Sequence, residues 1–210
     1  LHPRAAWDLP IWLELHYSEV AWGTIISIFS FVFSFTVAAH FKSAHPQRRT
    51  LLIASIGLIF SLLVYSTSMS RHRPPKLGKE IPSYDGSILQ TSSSTCVPAA
   101  AANILASFGV QATERELMEC FRTSEDGTQP AQAIVGLGKL GFKVTKKTVH
   151  PSNISAIQPP AILLVSEEQH AIAYFGITNG VLHAIDPMSG RRNFRVDIFT
   201  NLWGGRALEV

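Results

Sequence analysis

Residues 170–186, HAIAYFGITNGVLHAID, contain two strand-like runs joined by Asn179-Gly180. Asn-Gly between two apolar runs is a strong signal for a tight β-hairpin. His170 opens the first run and Asp186 closes the second. Counting outward from the turn, we expect these two residues to be offset by about three positions on adjacent strands. The Asp186 carboxylate can then reach one nitrogen of the His170 ring, orient the ring and stabilise its charged form.

Three helices are predicted before this hairpin, from capping and proline signals. The first begins at Cys96 and ends near Gly109, the second follows Thr113, and the third lies between Pro130 and Gly141. The strand pattern then takes over, and the further predicted strands are FKVTKKTV at 142–149, AILLV at 161–165 and RRNFRVDIF at 191–199. Helices followed by a largely antiparallel sheet indicate an α+β domain.

The N-terminal third of the chain is predicted to form a membrane hairpin. Two uncharged apolar runs, at about residues 20–40 and 50–70, are each long enough for a transmembrane helix. The first run starts too late and is too long for the apolar region of a signal peptide. Residues 71–86 are rich in proline and charge and are typical of a linker. We therefore predict a membrane region over residues 1–80 and an α+β domain over 81–210.

The distribution of charge supports this division and argues against nucleic-acid binding. Residues 1–80 contain eight Lys and Arg against four Asp and Glu, whereas residues 81–210 contain ten against eleven. The basic excess thus flanks the apolar runs, and the folded domain lacks the basic face that nucleic acid requires. More basic residues lie on the domain side of the runs than in the loop between them. Positive-inside counting thus favours a multi-pass membrane protein with its domain on the cytoplasmic face.

Cys96 and Gln90 extend the candidate site beyond the hairpin. A thiolate at the start of a helix faces unpaired backbone N–H groups and the positive end of the helix dipole. Taken alone, such a cysteine is more often buried and inert. Gln90, six residues earlier, offers an amide that can join the Cys96 N–H in holding an oxyanion. With His170 and Asp186, these residues form a Gln, Cys, His, Asp set that predicts a thiol hydrolase.

These motifs resemble the bacteriocin-processing cysteine peptidases. The resemblance rests on Q-x5-C-x-P-A-A, a distant His opening a strand, Asp-Pro sixteen residues later, and a closing F-x3-W-x-G-x-A-L. In this chain the closing motif consists of Phe199, Trp203, Gly205, Ala207 and Leu208. That family has a papain-like fold and cleaves leader peptides after a double glycine, often as the N-terminal domain of an ABC exporter.

The resemblance implies a role for each residue of the set. It assigns the nucleophile to Cys96, the base to His170, the orienting acid to Asp186 and the oxyanion donor to Gln90. It also implies a peptide substrate and an exporter complex as a partner, in addition to the lipid bilayer expected from the membrane hairpin. We expect no cofactor and no metal site, and the sequence contains no G-x4-G-K-[ST] phosphate-binding loop.

Two residues beside the nucleophile depart from the family pattern. The family usually has an acidic residue before the cysteine and glycine after it, whereas this chain has Thr95 and Val97. A valine at this position can narrow the cleft, and a threonine removes a local charge. The sequence therefore leaves a second interpretation open, a non-cleaving peptide-binding domain of the same fold serving a secretion system.

Overall fold

The structure is a computed structural model that describes residues 73–79, 83–165 and 169–210, with isolated positions nearer the N-terminus at 10, 11, 29, 33, 55–57, 59 and 60. Residues Pro74–Val210 form one compact unit and His2–Arg73 another. The two predicted membrane helices fall almost wholly outside the described residues. Among the residues that are described, no helix has the length and apolar character needed to cross a bilayer.

Three helices open the compact unit, as the sequence predicts: α1 (Cys96–Ser107), α2 (Glu114–Phe121) and α3 (Pro130–Lys139). Gly109 lies just beyond α1 with a φ of +78°, a conformation that costs glycine little and ends the helix. At the start of α2, Thr113 and Glu116 form both hydrogen bonds of the predicted capping box. Local sequence signals therefore account for all three helices.

A six-stranded antiparallel sheet follows the helices and confirms the α+β prediction. Its strands lie in the order β1-β6-β2-β3-β4-β5. Their bounds are β1 Thr145–Thr148, β2 Ala161–Val165, β3 His170–Thr178, β4 Val181–Asp186, β5 Gly190–Arg195 and β6 Trp203–Glu209. A 3-10 helix at Pro151–Ala156 connects β1 to β2, and a single-turn helix α4 (Val196–Phe199) follows β5.

Two strand predictions need correction. The run RRNFRVDIF was predicted as one strand, but its last four residues, Val196–Phe199, form α4. The bidentate pair between Arg195 and Asp197, with contacts of 2.7 and 3.2 Å, accompanies this change in backbone direction. The predicted strand at 142–149 is also shorter, since only Thr145–Thr148 pair with β6.

The closing motif is explained by β6, which the sequence did not reveal as a strand. All five of its residues are buried, with Phe199, Trp203, Ala207 and Leu208 at 2% exposure or less. Gly205 has a φ of +81°, and a Cβ placed there would lie 2.1 Å from the carbonyl oxygen of Val149. The motif therefore allows β6 to lie inside the sheet, between β1 and β2.

One part of the core lies between α1 and the sheet, and a second buried cluster, formed by strand residues and the segments beside them, contains no residue of α1. Ala99–Ala102 have no exposed surface, and their small side chains allow α1 to approach β3 closely. The larger side chains of Ile104 and Leu105 are also fully buried, and each stabilises the fold by roughly 1.5–3 kcal/mol. This packing places the N-terminus of α1, where Cys96 lies, beside the strand that begins at His170.

Candidate active site

Cys96 is the first residue of α1, and its surroundings leave the start of that helix open for a charged group. The side chain of the N-cap residue Thr95 forms no capping hydrogen bond with the helix. Without a side-chain cap, the first-turn amides remain available to a thiolate or an oxyanion. Cys96 is only 9% exposed, so a substrate must approach it through a narrow opening.

His170 lies between Asp186 and Cys96. Its Nε2 atom is 2.8 Å from Asp186 Oδ1. The side chain of Cys96 lies close enough to the ring to raise the pKa of His170. Because Asp186 occupies Nε2, Nδ1 is the ring nitrogen left for the thiol. The structure thus brings the acid and the imidazole into direct contact and places the thiol near the same ring.

These contacts shift the pKa values of both His170 and Asp186. The hydrogen bond with Asp186, followed by that with Cys96, raises the pKa of His170 to about 9, although burial acts in the opposite direction. Burial raises the pKa of Asp186, but hydrogen bonds from His170 and from the Met188 N–H outweigh it and hold that pKa below its usual value. At neutral pH the imidazole is therefore charged, and a carboxylate faces it.

A β-bulge puts His170 and Asp186 on the same face of the sheet. In the regular ladder near the turn, Gly176 pairs with His183, and unbroken continuation would place Asp186 opposite Ala173. His170 would then point to the other face, because side chains alternate along a strand. The register shifts between Tyr174 and Gly176, so that Ala173 pairs with Ile185 and Asp186 comes opposite Ile172.

The bulge also makes the offset between His170 and Asp186 smaller than the sequence predicts. Counting from the turn predicts about three positions, whereas the shifted register leaves Asp186 two positions from the point opposite His170. Two positions is an even number, so both side chains share a face as diagonal neighbours. Gly176, with a φ of +121°, supplies the backbone conformation at this point.

The turn after β4 fixes Asp186 and connects it to Gln90. The Met188 N–H donates to Asp186 Oδ1 at 2.8 Å, and the Ser189 hydroxyl donates to Oδ2 at 3.2 Å. The backbone N–H of Gln90 donates to the carbonyl of Pro187 at 2.8 Å. The loop before the nucleophile is thus attached directly to the turn that holds the acid.

The side chain of Gln90 has one identified partner. Its Nε2 atom donates to the Ser92 carbonyl at 2.9 Å. An amide nitrogen carries two hydrogens, so one remains for a substrate oxygen. Within the part of the chain that the structure describes, the buried Oε1 atom of Gln90 has no hydrogen-bond partner. The role of oxyanion donor therefore stays a prediction for this residue.

The two departures beside the nucleophile have structural explanations. Val97 is 7% exposed, so most of its side chain packs inside the domain. Thr95 is fully buried, and its hydroxyl contacts the carboxylate of Glu114 and the Ser92 carbonyl. A carboxylate therefore does lie beside the residue that precedes Cys96, but it comes from α2. No sequence signal indicates this contact, because it depends on the packing of α2 against the loop.

Comparison with known proteins agrees with this geometry. The model of the peptidase C39 family matches residues 86–210. The chain belongs to the peptidase C39 family. It is therefore a cysteine-type peptidase with a papain-like domain, and the resemblance drawn from the sequence motifs is confirmed.

Two proteins of similar sequence come from species of Methanothermobacter. The chain is 28% identical over 123 residues to an uncharacterized protein of Methanothermobacter marburgensis, and the alignment covers 59% of this chain and 86% of that protein. An uncharacterized protein of Methanothermobacter thermautotrophicus is 28% identical over 128 residues, with the same two shares. Both alignments cover about the same share of the chain as the family match.

Two solved structures share the fold of this C39 domain. One is a double glycine motif protease from an AMS/PCAT transporter, solved with its leader peptide. Its TM-score is 0.55 at 17% identity, covering 65% of this chain and 94% of that one. The other is the peptidase domain of Streptococcus ComA, a bifunctional ABC transporter of a quorum-sensing pathway. It has a TM-score of 0.51 at 23% identity and covers 57% of this chain and 93% of that one.

Proposed function

We propose that this C39 peptidase hydrolyses the peptide bond at a double-glycine leader–cargo junction of a small secreted peptide. The observation that carries the proposal is the 2.8 Å contact between Asp186 and His170, with Cys96 close enough to raise the pKa of the His170 ring. A thiol, an imidazole and a carboxylate in this order are the components of nucleophilic acyl transfer. A domain that only bound peptides would have no need of this arrangement.

In the proposed mechanism, Cys96 has already given its proton to His170, which holds it as the imidazolium, and the thiolate attacks the scissile carbonyl carbon. The oxyanion accepts hydrogen bonds from the Cys96 N–H and the free hydrogen of the Gln90 amide. His170 then protonates the leaving amine, and the C–N bond breaks to leave a thioester on Cys96. Water, deprotonated by His170, attacks this thioester and releases the leader as a carboxylate, which leaves Cys96 as a thiolate beside the charged His170 ring.

The limited exposure of the thiol supports a preference for small residues at the cleavage site. Only 9% of Cys96 and 18% of the His170 side chain are exposed. A scissile bond that follows two glycines presents no side chain to this opening on its N-terminal side. The AMS/PCAT protease that shares the fold is a double glycine motif protease, which is consistent with such a substrate here.

We also propose that the domain is tethered to a membrane and works with an exporter. The two apolar runs at about 20–40 and 50–70, and the charges that flank them, support the tether and a cytoplasmic domain. Both structural neighbours come from transporters, which supports the association with an exporter.

The proposal is tested with the full 210-residue chain and a synthetic peptide that contains Gly-Gly between a leader and a cargo sequence. Mass spectrometry should show one cut after the second glycine for the wild-type chain and none for Cys96→Ser. Cys120→Ser is the matched control, because it changes the other free thiol, and it should cleave at the wild-type rate. A peptide with valine in place of the second glycine should be cut at least about 100-fold more slowly.

Retained cleavage by Cys96→Ser would disprove the mechanism. If the wild-type chain binds the peptide but leaves it intact, the chain is instead a peptide-binding domain of the same fold. Equal cleavage of the glycine and valine peptides would leave the peptidase in place and disprove the proposed specificity.

A further inference from the structure

Glu114 is a buried carboxylate that the proposed mechanism does not use. It is the first residue of α2 and is only 3% exposed. Its Oε1 atom accepts a hydrogen bond from the Thr91 N–H at 2.7 Å, and its Oε2 atom accepts one from the Thr91 hydroxyl at 2.7 Å. Oε1 also contacts the hydroxyl of Thr95. All these partners lie in one short loop, and none belongs to α2 itself.

That loop carries two of the four candidate residues. Gln90 precedes Thr91, and Cys96 follows Thr95. Both ends of the loop are therefore held by one carboxylate, from a helix that contributes no residue to the site. The hydroxyl oxygen of Thr95 also lies 2.9 Å from the Ser92 carbonyl oxygen, which accepts a hydrogen bond from the Gln90 amide. The contacts of Glu114 thus lead to both the oxyanion donor and the nucleophile.

We propose that Glu114 is a positioning residue for the Gln90–Cys96 loop. It holds Thr91 and Thr95 so that the Gln90 amide and the Cys96 thiol face the same substrate carbonyl. A displacement of about 1 Å between reacting groups can cost about 100-fold in rate, so a loop with both groups needs such a constraint. This inference rests on the proposed function, since it concerns the same site.

Glu116 provides a matched control within the same helical turn. Like Glu114, it lies in the first turn of α2 and accepts hydrogen bonds from a threonine. Its partner is Thr113, outside the loop, and it is exposed. Glu116→Gln therefore weakens the start of α2 without touching the loop, whereas Glu114→Gln weakens the contacts with Thr91 and Thr95.

The first experiment measures amide hydrogen exchange of the segment 88–96 in the full-length chain. Glu114→Gln should raise hydrogen exchange at the Thr91 backbone amide at least about tenfold. The neutral glutamine side chain accepts the Thr91 hydrogen bond more weakly than a carboxylate does, and its own NH2 group would face the Thr91 and Thr95 donors. Glu116→Gln should leave exchange in this segment unchanged. Equal exchange in the two variants would overturn the proposal, whether or not the chain cleaves peptides.

The second experiment measures cleavage of the Gly-Gly peptide in a double-mutant cycle with Gln90→Ala. Glu114→Gln should lower kcat at least about tenfold with little change in KM, since only transition-state contacts are lost. In the Gln90→Ala background it should lower kcat less, because part of its effect acts through Gln90. Wild-type kcat in Glu114→Gln, or full additivity, would overturn the proposal while the proposed function stands.

The positioning role of Glu114 can be tested even if the chain does not cleave peptides. In that case the proposed function fails, and alkylation of Cys96 by iodoacetamide at about pH 6, well below the pKa of an ordinary thiol, replaces cleavage as the measurement. Slower alkylation in Glu114→Gln than in Glu116→Gln would support the positioning role of Glu114. Equal rates in the two variants would overturn it.

Discussion

The helical region and the strand hairpin place their parts of the site in different ways. Cys96 is held where α1 starts, at the end of a loop that Glu114 binds from the neighbouring helix. His170 and Asp186 lie on strands, and their meeting depends on a shift of the ladder between Tyr174 and Gly176. The position of Cys96 therefore depends on a buried polar contact, whereas the positions of His170 and Asp186 depend on the extra residue that the bulge adds to β3.

The two halves of the site should therefore fail in different ways. Loss of a contact in the helical region lets a loop move, and the change in geometry is gradual. A change of register on the sheet is discrete, since a slip of one residue turns a side chain to the opposite face. We expect the largest effects from changes at the bulge and the smallest from changes at helix caps remote from the loop.

Gly176→Ala is expected to have the largest effect on activity. A φ of +121° is strained for any residue with a Cβ, so the bulge should relax and move His170 away from Asp186. We predict a loss of roughly 100-fold in peptide cleavage, with about 1–3 kcal/mol of stability. Gly180→Ala is the control, because it strains the same hairpin at a φ of +74° without touching the bulge. Equal loss in both variants would contradict the role of the bulge.

Asp186→Asn should have the next largest effect, and on the pH profile as well as the rate. The hydrogen bond with Asp186 is the main cause of the raised pKa of His170, and a neutral amide supports the imidazolium less. The alkaline limb of cleavage, expected near pH 9 in the wild type, should move to lower pH by about one unit or more. Cleavage rates measured from about pH 5 to about pH 10 cover the alkaline limb of both the wild type and the variant. If the limb lies at the same pH in both, His170 does not determine it.

The stability of the domain should also depend on His170. Because its pKa is raised from 6.5 to about 9, its contribution is complete below pH 6.5 and is lost as the pH rises through about 9. We predict that the wild-type advantage over His170→Gln in unfolding free energy, about 2 kcal/mol at about pH 6, disappears by about pH 10. The contribution of Asp186 to stability depends on pH in the opposite direction. Because the pKa of Asp186 is lowered, its contribution is present at neutral pH and is lost only as the pH falls below 3.8. Urea unfolding at each pH measures the contributions of His170 and Asp186.

Thr113→Ala should have the smallest effect on activity. It removes the capping box of α2 and should cost about 1 kcal/mol of stability. Because neither Thr113 nor Glu116 contacts the Gln90–Cys96 loop in the hydrogen bonds described, cleavage at a temperature where the variant is folded should stay within about twofold of wild type. A large loss of activity would mean that the start of α2 is coupled to the site more broadly than through Glu114.

The sequence predicts those parts of the molecule whose causes are local. The start of α1 at Cys96, the capping box at Thr113 and the hairpin turn at Asn179-Gly180 each depend on neighbouring residues. The turn residues Asn179 and Gly180 both have positive φ, as such a turn requires. The positions of His170 and Asp186 at the ends of their strands follow from that turn.

The features that the sequence does not predict depend on contacts between distant segments. A bulge changes the register without any change in the hydrophobic pattern, because residues 171–174 are buried on both faces. The contact between Glu114 and Thr95 spans 19 residues and needs α2 to pack against the loop. β6 was missed because its Gly204-Gly205 pair lowers strand propensity, although the motif places it between two other strands.

The alkylation rate of Cys96 as a function of pH, with Cys120 as the internal reference, tests directly whether the nucleophile is activated. If His170 and Cys96 form a charged pair, Cys96 should react rapidly at about pH 6, where an ordinary thiol with a pKa of about 8.5 is almost fully protonated. His170→Ala should remove this reactivity. If Cys96 instead reacts no faster than Cys120 at any pH, the nucleophile is not activated, and the existence of an assembled thiol peptidase site is contradicted.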